Sequence, residues 1–430
     1  MAVRPVQHGK RGTTMRKKTL FAVIGIFAAL ALVAAACGED DSGDTTAPAP
    51  APVPEPAPEP PPPPEPAPAP EPAPSPDPAP EPPPPPEPAP EPPPPPPEPV
   101  VLNEAYFSTP LDCDVNSTTD DLVNYTPPAA DGDYEIDFMQ VSLAAEYYQA
   151  MAYGAEQAAA DVTAAGGGTV TVRHTAGVGY TGPADQLADA ENILLRGPDA
   201  IILAPVDTAG SVAIVDAADA AGVPVVNVST EVPDGRVYMI MQDDYLFGKA
   251  GADAIAALVP EGGKGVVMAG PANATWSKKR HVGFVDRVEE AYPNLEIIEA
   301  PNQLVDPEEG LADFMNVVAG NPEIDWIYAA HFALLLPITI PPEYADVPYV
   351  ASDFTNFSQP WIHDGSADAL FLVSPYWMGY VGLGTAVAVL NGQDVPRINC
   401  VPFPVVDPSN VDEPWVQIEL IPEGWQAEVG

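Results

Sequence analysis

The stretch LLRGPDAIILAPVDTAGSVAIVDAADAAGVPVVNVST, residues 194–230, decides the fold class. Within it AIILAP (200–205) is a short apolar run, which reads as a strand buried on both faces. Val212–Ala221 reads as a helix, and it stops at Gly222, a residue type that accepts the left-handed conformation closing many helices. VPVVNVS (223–229) is a second short apolar strand. Buried strand, helix and buried strand in immediate succession indicate a parallel sheet.

The same alternation extends in both directions. Upstream, IDFMQVSL (136–143) is a short apolar run, the Ala-rich stretch 147–165 reads as a helix, TVTVRH (169–174) follows Gly166–Gly168 as a strand, and 187–196 reads as a helix. After Asp243 the pattern begins again. Phe247, Ala250, Ala254 and Leu258 share one helical face, GVVMAG (265–270) is a strand, and the next helix turns Phe284, Val285 and Val288 inward. LEIIEAP (295–301), DWIYAA (325–330) and VPYVASD (347–353) give three more strands. Each set is long enough for one lobe. The expected fold is α/β, two Rossmann-like lobes of parallel sheet flanked by helices.

The chain ahead of these lobes has a different texture. Met15–Cys37 opens with basic residues, carries an apolar stretch from Leu20 to Val33 and ends in small residues, the pattern of a secretory signal. It resembles a bacterial lipoprotein signal with Cys37 as the lipidated residue, although Ala34 stands where that family usually has Leu. Ordinary cleavage near Ala36 is the alternative. From about Ala47 to Pro99 the chain is almost only Pro, Ala and Glu, a composition that builds no core and favours extended polyproline helix. At ~3.1 Å per residue such a stalk reaches roughly 150 Å. The expected organisation is a lipoprotein signal over 1–36, a disordered tether and lead-in over 37–133, lobe one over 134–242 and 374–393, lobe two over 243–373, and a C-terminal hinge crossing and tail over 394–430.

Of 77 charged side chains, 61 are acidic. Six of the sixteen basic residues precede Cys37 with no acid among them, so the chain beyond the signal carries a formal charge of −51. Such a body repels nucleic acid and anionic lipid surfaces, so neither is an expected partner. The two remaining cysteines, Cys113 and Cys400, suggest one disulfide in an oxidising compartment, with two isolated buried thiols as the alternative.

The stretch 194–230, together with MQDDYLFGKAGADAIA (241–256) and KRHVGF (279–284), resembles the type I periplasmic solute-binding proteins, of the ribose/galactose-binding branch that also includes the lac repressor's sensor domain. The resemblance covers about 134–395. It implies three chain crossings that act as a hinge, a ligand cleft outside the carboxyl ends of the strands, and closure by hinge motion.

The resemblance also implies a set of cleft residues. Tyr147 and Tyr148 fall where the family places two rings that sandwich the ligand. Ser229-Thr230 stands where sugar binders often carry Asp-Arg, so Thr230 is a cleft candidate and the resemblance does not extend to ribose itself. Arg280 matches a lobe-two arginine reaching the cleft from a helix start. Trp276 lies one turn earlier. His331 stands where the family has Asn-Asp, and Asp353 falls on its cleft aspartate. Tyr376, in Ser374-Pro375-Tyr376-Trp377, replaces a glutamine region. Each ring, His331 and Arg280 has a structural alternative as core or solvated surface.

An enzyme is not expected. The histidines at 8, 174, 281, 331 and 363 form no metal or nucleophile–base spacing, and Gly166–Gly168 lies between helix and strand, the wrong order for a dinucleotide loop. The expectation is a monomeric, cofactor-free binding protein, lipid-anchored at the outer face of the membrane. It would capture a sugar-like solute for an ABC-type permease. Presentation of a ligand such as a methylated amine to a membrane sensor kinase is the alternative.

Overall fold

In both halves of the body the central strands, residues 200–203, 225–228, 326–329 and 349–352, are buried at every position, as parallel sheets covered on both faces require. The computed structural model describes residues 102–179, 182–271, 274–300 and 304–429. The expected signal, Cys37 and the tether up to residue 101 lie outside the described residues. Two short helices and a strand come first: α1 (Glu104–Phe107), β1 (Val115–Asn116) and α2 (Thr119–Val123). These elements lie in the lead-in expected between the tether and lobe one.

Lobe one follows with β2 (Tyr134–Gln140), α3 (Glu146–Ala165), β3 (Val170–Ala176), α4 (Pro183–Leu194), β4 (Ala200–Leu203), α5 (Val212–Ala221), β5 (Val225–Val228) and β6 (Tyr238–Met241). Lobe two contains α6 (Asp244–Leu258), β7 (Gly263–Met268), α7 (Thr275–Ala291), β8 (Leu295–Glu299), α8 (Pro307–Gly320), β9 (Trp326–Ala329), β10 (Tyr349–Ser352), α9 (Gln359–Asp364) and β11 (Ala369–Phe371). The chain ends with α10 (Pro375–Leu390), β12 (Ile398–Cys400), β13 (Val405–Val406) and α11 (Pro414–Gln417). Between β9 and β10, where Pro337, Pro341 and Pro342 forbid a regular helix, the chain makes three short 3-10 turns instead.

The sheet orders are β1-β12-β6-β5-β4-β2-β3 and β13-β11-β10-β9-β7-β8, parallel throughout except for the β11–β13 pair. Without β1, β12 and β13 at their edges, both sheets have the same order, counting strands within each lobe. The first strand lies between the second and third, which creates a switch point between β2 and β4 and another between β7 and β9. Loops diverge there and leave a crevice at the carboxyl ends of the strands.

Both lobes also use the same helix contact. A Cβ on Gly154 of α3 would sit 2.0 Å from the Tyr376 carbonyl oxygen of α10, and one on Gly379 of α10 would sit 1.9 Å from the Met151 carbonyl oxygen. In lobe two, Gly248 of α6 and Gly283 of α7 face the Arg280 and Tyr245 carbonyls in the same way, each at 2.0 Å. The helices touch backbone to backbone, so the register of α7, and with it the height of Arg280, is set by glycine rather than by interlocking side chains.

The chain passes between the lobes at β6–α6, at β11–α10 and at β12–β13. The segment 394–430, expected to be a crossing and a tail, thus adds a strand to each sheet. It then makes a further passage. Val416 belongs to the lobe-two core, whereas Trp425 packs edge-on against Tyr153 and the Ala427 N–H donates to Gln149 Oε1 in lobe one. Cys113 and Cys400 form a disulfide with Cα atoms 5.9 Å apart, tying the lead-in to β12.

Glu419 is buried on the last passage. Its Oε2 accepts the Tyr376 N–H at the start of α10 (3.0 Å), while its Oε1 is buried with no hydrogen-bond partner among the described residues. Burial pushes its pKa from 4.5 up to about 8. The folded state then holds a proton that the unfolded chain releases. The stability this gives is complete below pH 4.5 and is lost as the pH rises toward 8. Glu419→Gln should therefore match the natural protein in urea-unfolding midpoint near pH 5 and exceed it at pH 8. Parallel midpoint-versus-pH curves would show that this carboxyl is not held neutral.

Candidate functional site

Among the described residues, three that are not glycine adopt left-handed backbone: Ser229 (φ 70°), Asp353 (φ 71°) and Ser374 (φ 51°). They follow β5, β10 and β11, so all three sit at carboxyl ends of strands. Backbone of this kind costs energy for a residue with a Cβ and collects at functional sites.

The lobe-two side is organised by one guanidinium. Arg280, in the second turn of α7, is 4% exposed. Its Nε donates to Asp244 Oδ1 (2.8 Å), and its Nη1 donates to the Ala330 carbonyl and to Ser352 Oγ (2.9 Å each). Its central carbon lies over the rings of Phe247, at 4.3 Å, and Trp276, at 5.1 Å. Burial works against the charge, but Asp244 and Asp353 more than offset it and raise the pKa. Three of the five N–H donors of Arg280, on Nε and Nη1, thus tie the start of α6 to the ends of β9 and β10, and Nη2 takes part in none of these bonds.

Asp353 follows directly. Its Oδ2 accepts from His331 Nε2 (2.8 Å) and from Ser352 Oγ (3.1 Å). The other ring nitrogen, His331 Nδ1, accepts the Ala333 N–H (3.0 Å), so the proton facing the carboxylate is the one on Nε2. Burial alone would raise the Asp353 pKa. His331, then Arg280 and the Ser352 hydroxyl, outweigh it and hold the carboxyl below its usual 3.8. Its second oxygen, Oδ1, takes no hydrogen bond from any described residue. That leaves an ionised acceptor, fixed on one side and unengaged on the other.

Rings surround this acceptor on lobe two. Trp276 packs on His331 at 5.9 Å between centroids, His331 on Phe332 at 4.9 Å, and Phe332 on Phe357 and Trp361. On lobe one, the Tyr147 hydroxyl donates to Ser229 Oγ (3.2 Å), and its ring packs against the cores of both lobes. Three polar contacts bridge the lobes: Thr208 Oγ1 donates to Thr275 Oγ1 (2.8 Å), the Phe357 N–H to Glu146 Oε2 (2.8 Å), and Lys279 Nζ pairs with Glu231 (2.7 Å). The lobes are thus in a closed arrangement.

The structure brings Trp276, Arg280, His331 and Asp353 together and sets Tyr147 against the same lobe. Two other expected rings are elsewhere. Tyr148 is 4% exposed within the lobe-one core, edge-on to Tyr147. Tyr376 is 7% exposed in the first turn of α10, stacked on Tyr380. Thr230 is buried, with its carbonyl accepting from Asn227 Nδ2 (2.8 Å), and Ser229 presents the hydroxyl to Tyr147. Sequence reasoning missed Asp244, Ser352 and Phe357. The Asp-Asp pair opening α6 was the available signal for the first. Among the described residues, no group of three or more His, Cys, Asp or Glu side chains is placed to hold a metal ion.

Residues 136–394, more than half of the chain, match the family described as a periplasmic binding protein domain. The chain belongs to that family, as a type I binding protein of the ribose/galactose-binding kind. It is 27% identical to the ribose import binding protein of Escherichia coli (strain K12) over 217 residues, which are 50% of this chain and 73% of the relative. To the ribose import binding protein of Bacillus subtilis (strain 168) it is 24% identical over 221 residues, 51% of this chain and 72% of that one. Its fold is that of a sugar ABC transport system substrate-binding protein from Bordetella parapertussis 12822 (TM-score 0.64, 21% identity, 71% of this chain and 99% of that chain). It is also that of an ABC transporter solute binding protein from Agrobacterium vitis with bound D-fucose (TM-score 0.59, 24% identity, 67% and 100%).

The geometry separates two roles that the sequence treats alike. Arg280→Ala strands the buried Asp244 and should lower unfolding stability by about 3–5 kcal/mol. Asp353→Asn keeps the shape, and Asn tolerates left-handed backbone, so it should lower the urea midpoint less than Arg280→Ala does while weakening solute affinity by about 2–5 kcal/mol. Equilibrium unfolding and titration calorimetry on both variants check this. Equal loss of stability in the two would refute the division of roles.

Proposed function

We propose that the protein captures a sugar or sugar derivative between its lobes and delivers it to an ABC-type permease, while a lipid on Cys37 keeps it at the outer face of the membrane. The observation that carries this reading is the Asp353 carboxylate. It is ionised, clamped through Oδ2 by His331 and Ser352, and leaves Oδ1 for a ligand hydroxyl. Carboxylates placed in this way accept from hydroxyls in charge-assisted hydrogen bonds. The flat faces of Trp276 and Tyr147 suit the C–H side of a pyranose or furanose ring. The names of the relatives point the same way: ribose import in two of them and bound D-fucose in a structural neighbour. Ser229-Thr230 in place of a charged pair argues for a solute other than ribose.

A cage for a methylated amine needs several rings around the cation. Two of the rings expected at the cleft, Tyr148 and Tyr376, are committed to the lobe-one core, so lobe one offers Tyr147 alone of the expected rings to such a cage. Sensing rather than uptake gains no support from any particular contact.

A thermal-shift panel of pentoses, hexoses, polyols and quaternary amines tests the ligand class. At least one sugar or polyol should raise the melting temperature in proportion to the logarithm of its concentration, and the amines should not. A shift with the amines alone would reverse the assignment. For the anchor, Cys37→Ala should release the protein into the growth medium. Unchanged membrane retention would rule out the lipid.

A further inference from the structure

Helix α1 belongs to neither sheet, yet it contacts both lobes. Toward lobe two, Lys278 Nζ lies 3.9 Å from the centre of the Phe107 ring and 3.0 Å from Glu104 Oε1. Lys279 Nζ lies 4.2 Å from the centre of the Tyr106 ring and pairs at 2.7 Å with Glu231, which follows β5 in lobe one. Burial, and then the neighbouring Glu231 carboxylate, hold the Tyr106 phenol well above its ordinary pKa, so this ring is neutral. A few residues on, Leu111 packs into lobe one and its N–H donates to Asp243 Oδ2 (2.7 Å) at the first crossing. Cys113 is then bonded to Cys400, next to the third crossing. The ten residues from 104 to 113 are therefore fastened to both lobes and to two crossings.

Lys279 makes this arrangement consequential. It is 3% exposed, and a buried ammonium is costly unless paired. Its partners are a carboxylate from the opposite lobe and a ring from α1. Separating the lobes removes the first, and displacing α1 removes the second.

We propose that residues 104–113 are a strap that holds the lobes closed by covering the Lys279–Glu231 pair, so that the end of the chain nearest the tether sets the equilibrium between open and closed forms. The proposal rests on the two-lobe architecture and not on the identity of the solute.

The test uses the full chain with Cys37→Ser and spin labels at Val178→Cys and Leu304→Cys, exposed positions after β3 and β8. Interlobe distances are measured by pulsed electron resonance with no solute added. The Tyr106→Ala/Phe107→Ala double variant should increase the long-distance population about fivefold, from the loss of two cation–ring contacts. Glu231→Gln, which lies outside the strap, should shift it in the same direction, and Tyr106→Phe, which keeps the ring, should not. Distributions of the double variant and of Glu231→Gln that superimpose on the parent would overturn the proposal. If circular dichroism shows the double variant unfolded, the single variant Phe107→Ala, which removes only the ring facing Lys278, decides by the same comparison with the parent.

Discussion

The buried Arg280 guanidinium is the contact on which the candidate site depends. Its ties reach Asp244, where the chain has just crossed into lobe two, the carbonyl that ends β9, and the hydroxyl that ends β10. A charge this deep persists only when it is paired and hydrogen-bonded, and these partners fix Nε and Nη1 in place. Asp353, one residue beyond Ser352, inherits that geometry. Its left-handed backbone is held by what surrounds it, and its carboxylate is kept ionised by the neighbouring donors and positive charge. The hinge crossing and the candidate ligand acceptor are thereby joined through a single side chain.

The lobes repeat one construction. Each has the same order in its principal strands and one glycine-mediated helix crossing, so each presents loops at the carboxyl end of its sheet. The differences between them lie at the cleft. Lobe two brings the charged network and a chain of rings. Lobe one brings Tyr147, Ser229 and the carboxylates of Glu146 and Glu231, which meet lobe two across the closed interface. The C-terminal segment adds a strand to each sheet and a neutral buried carboxyl beside the return crossing, so both ends of the body converge on the hinge.

The fold was legible because its signals are local. Val212–Ala221 and its stop at Gly222 are where propensity and capping place them, and Gly222 is left-handed as a helix end demands. The fully buried strands announced themselves as apolar runs. Strands β6 and β11, as short and nearly as buried, were not read from the sequence. The site was legible in part. Asp353 and His331 could be placed by position after a strand. The choice between Tyr147 and Tyr148 could not, because neighbours on a helix point about 100° apart and only the tertiary contact decides which faces the other lobe. Tyr376 lies on α10, which is buried nearly all round and so has no face to read. The inward path of Arg280 depends on Asp244, 36 residues earlier, a pairing that no local pattern encodes.

A crystal structure of the protein with a bound sugar tests the central claim most directly. The account predicts a ligand hydroxyl within hydrogen-bond distance of Asp353 Oδ1, with His331 Nε2 still on Oδ2 and Arg280 still on Asp244. A sugar seated between the lobes without touching Asp353, or a guanidinium that leaves Asp244 to meet the ligand, would contradict it.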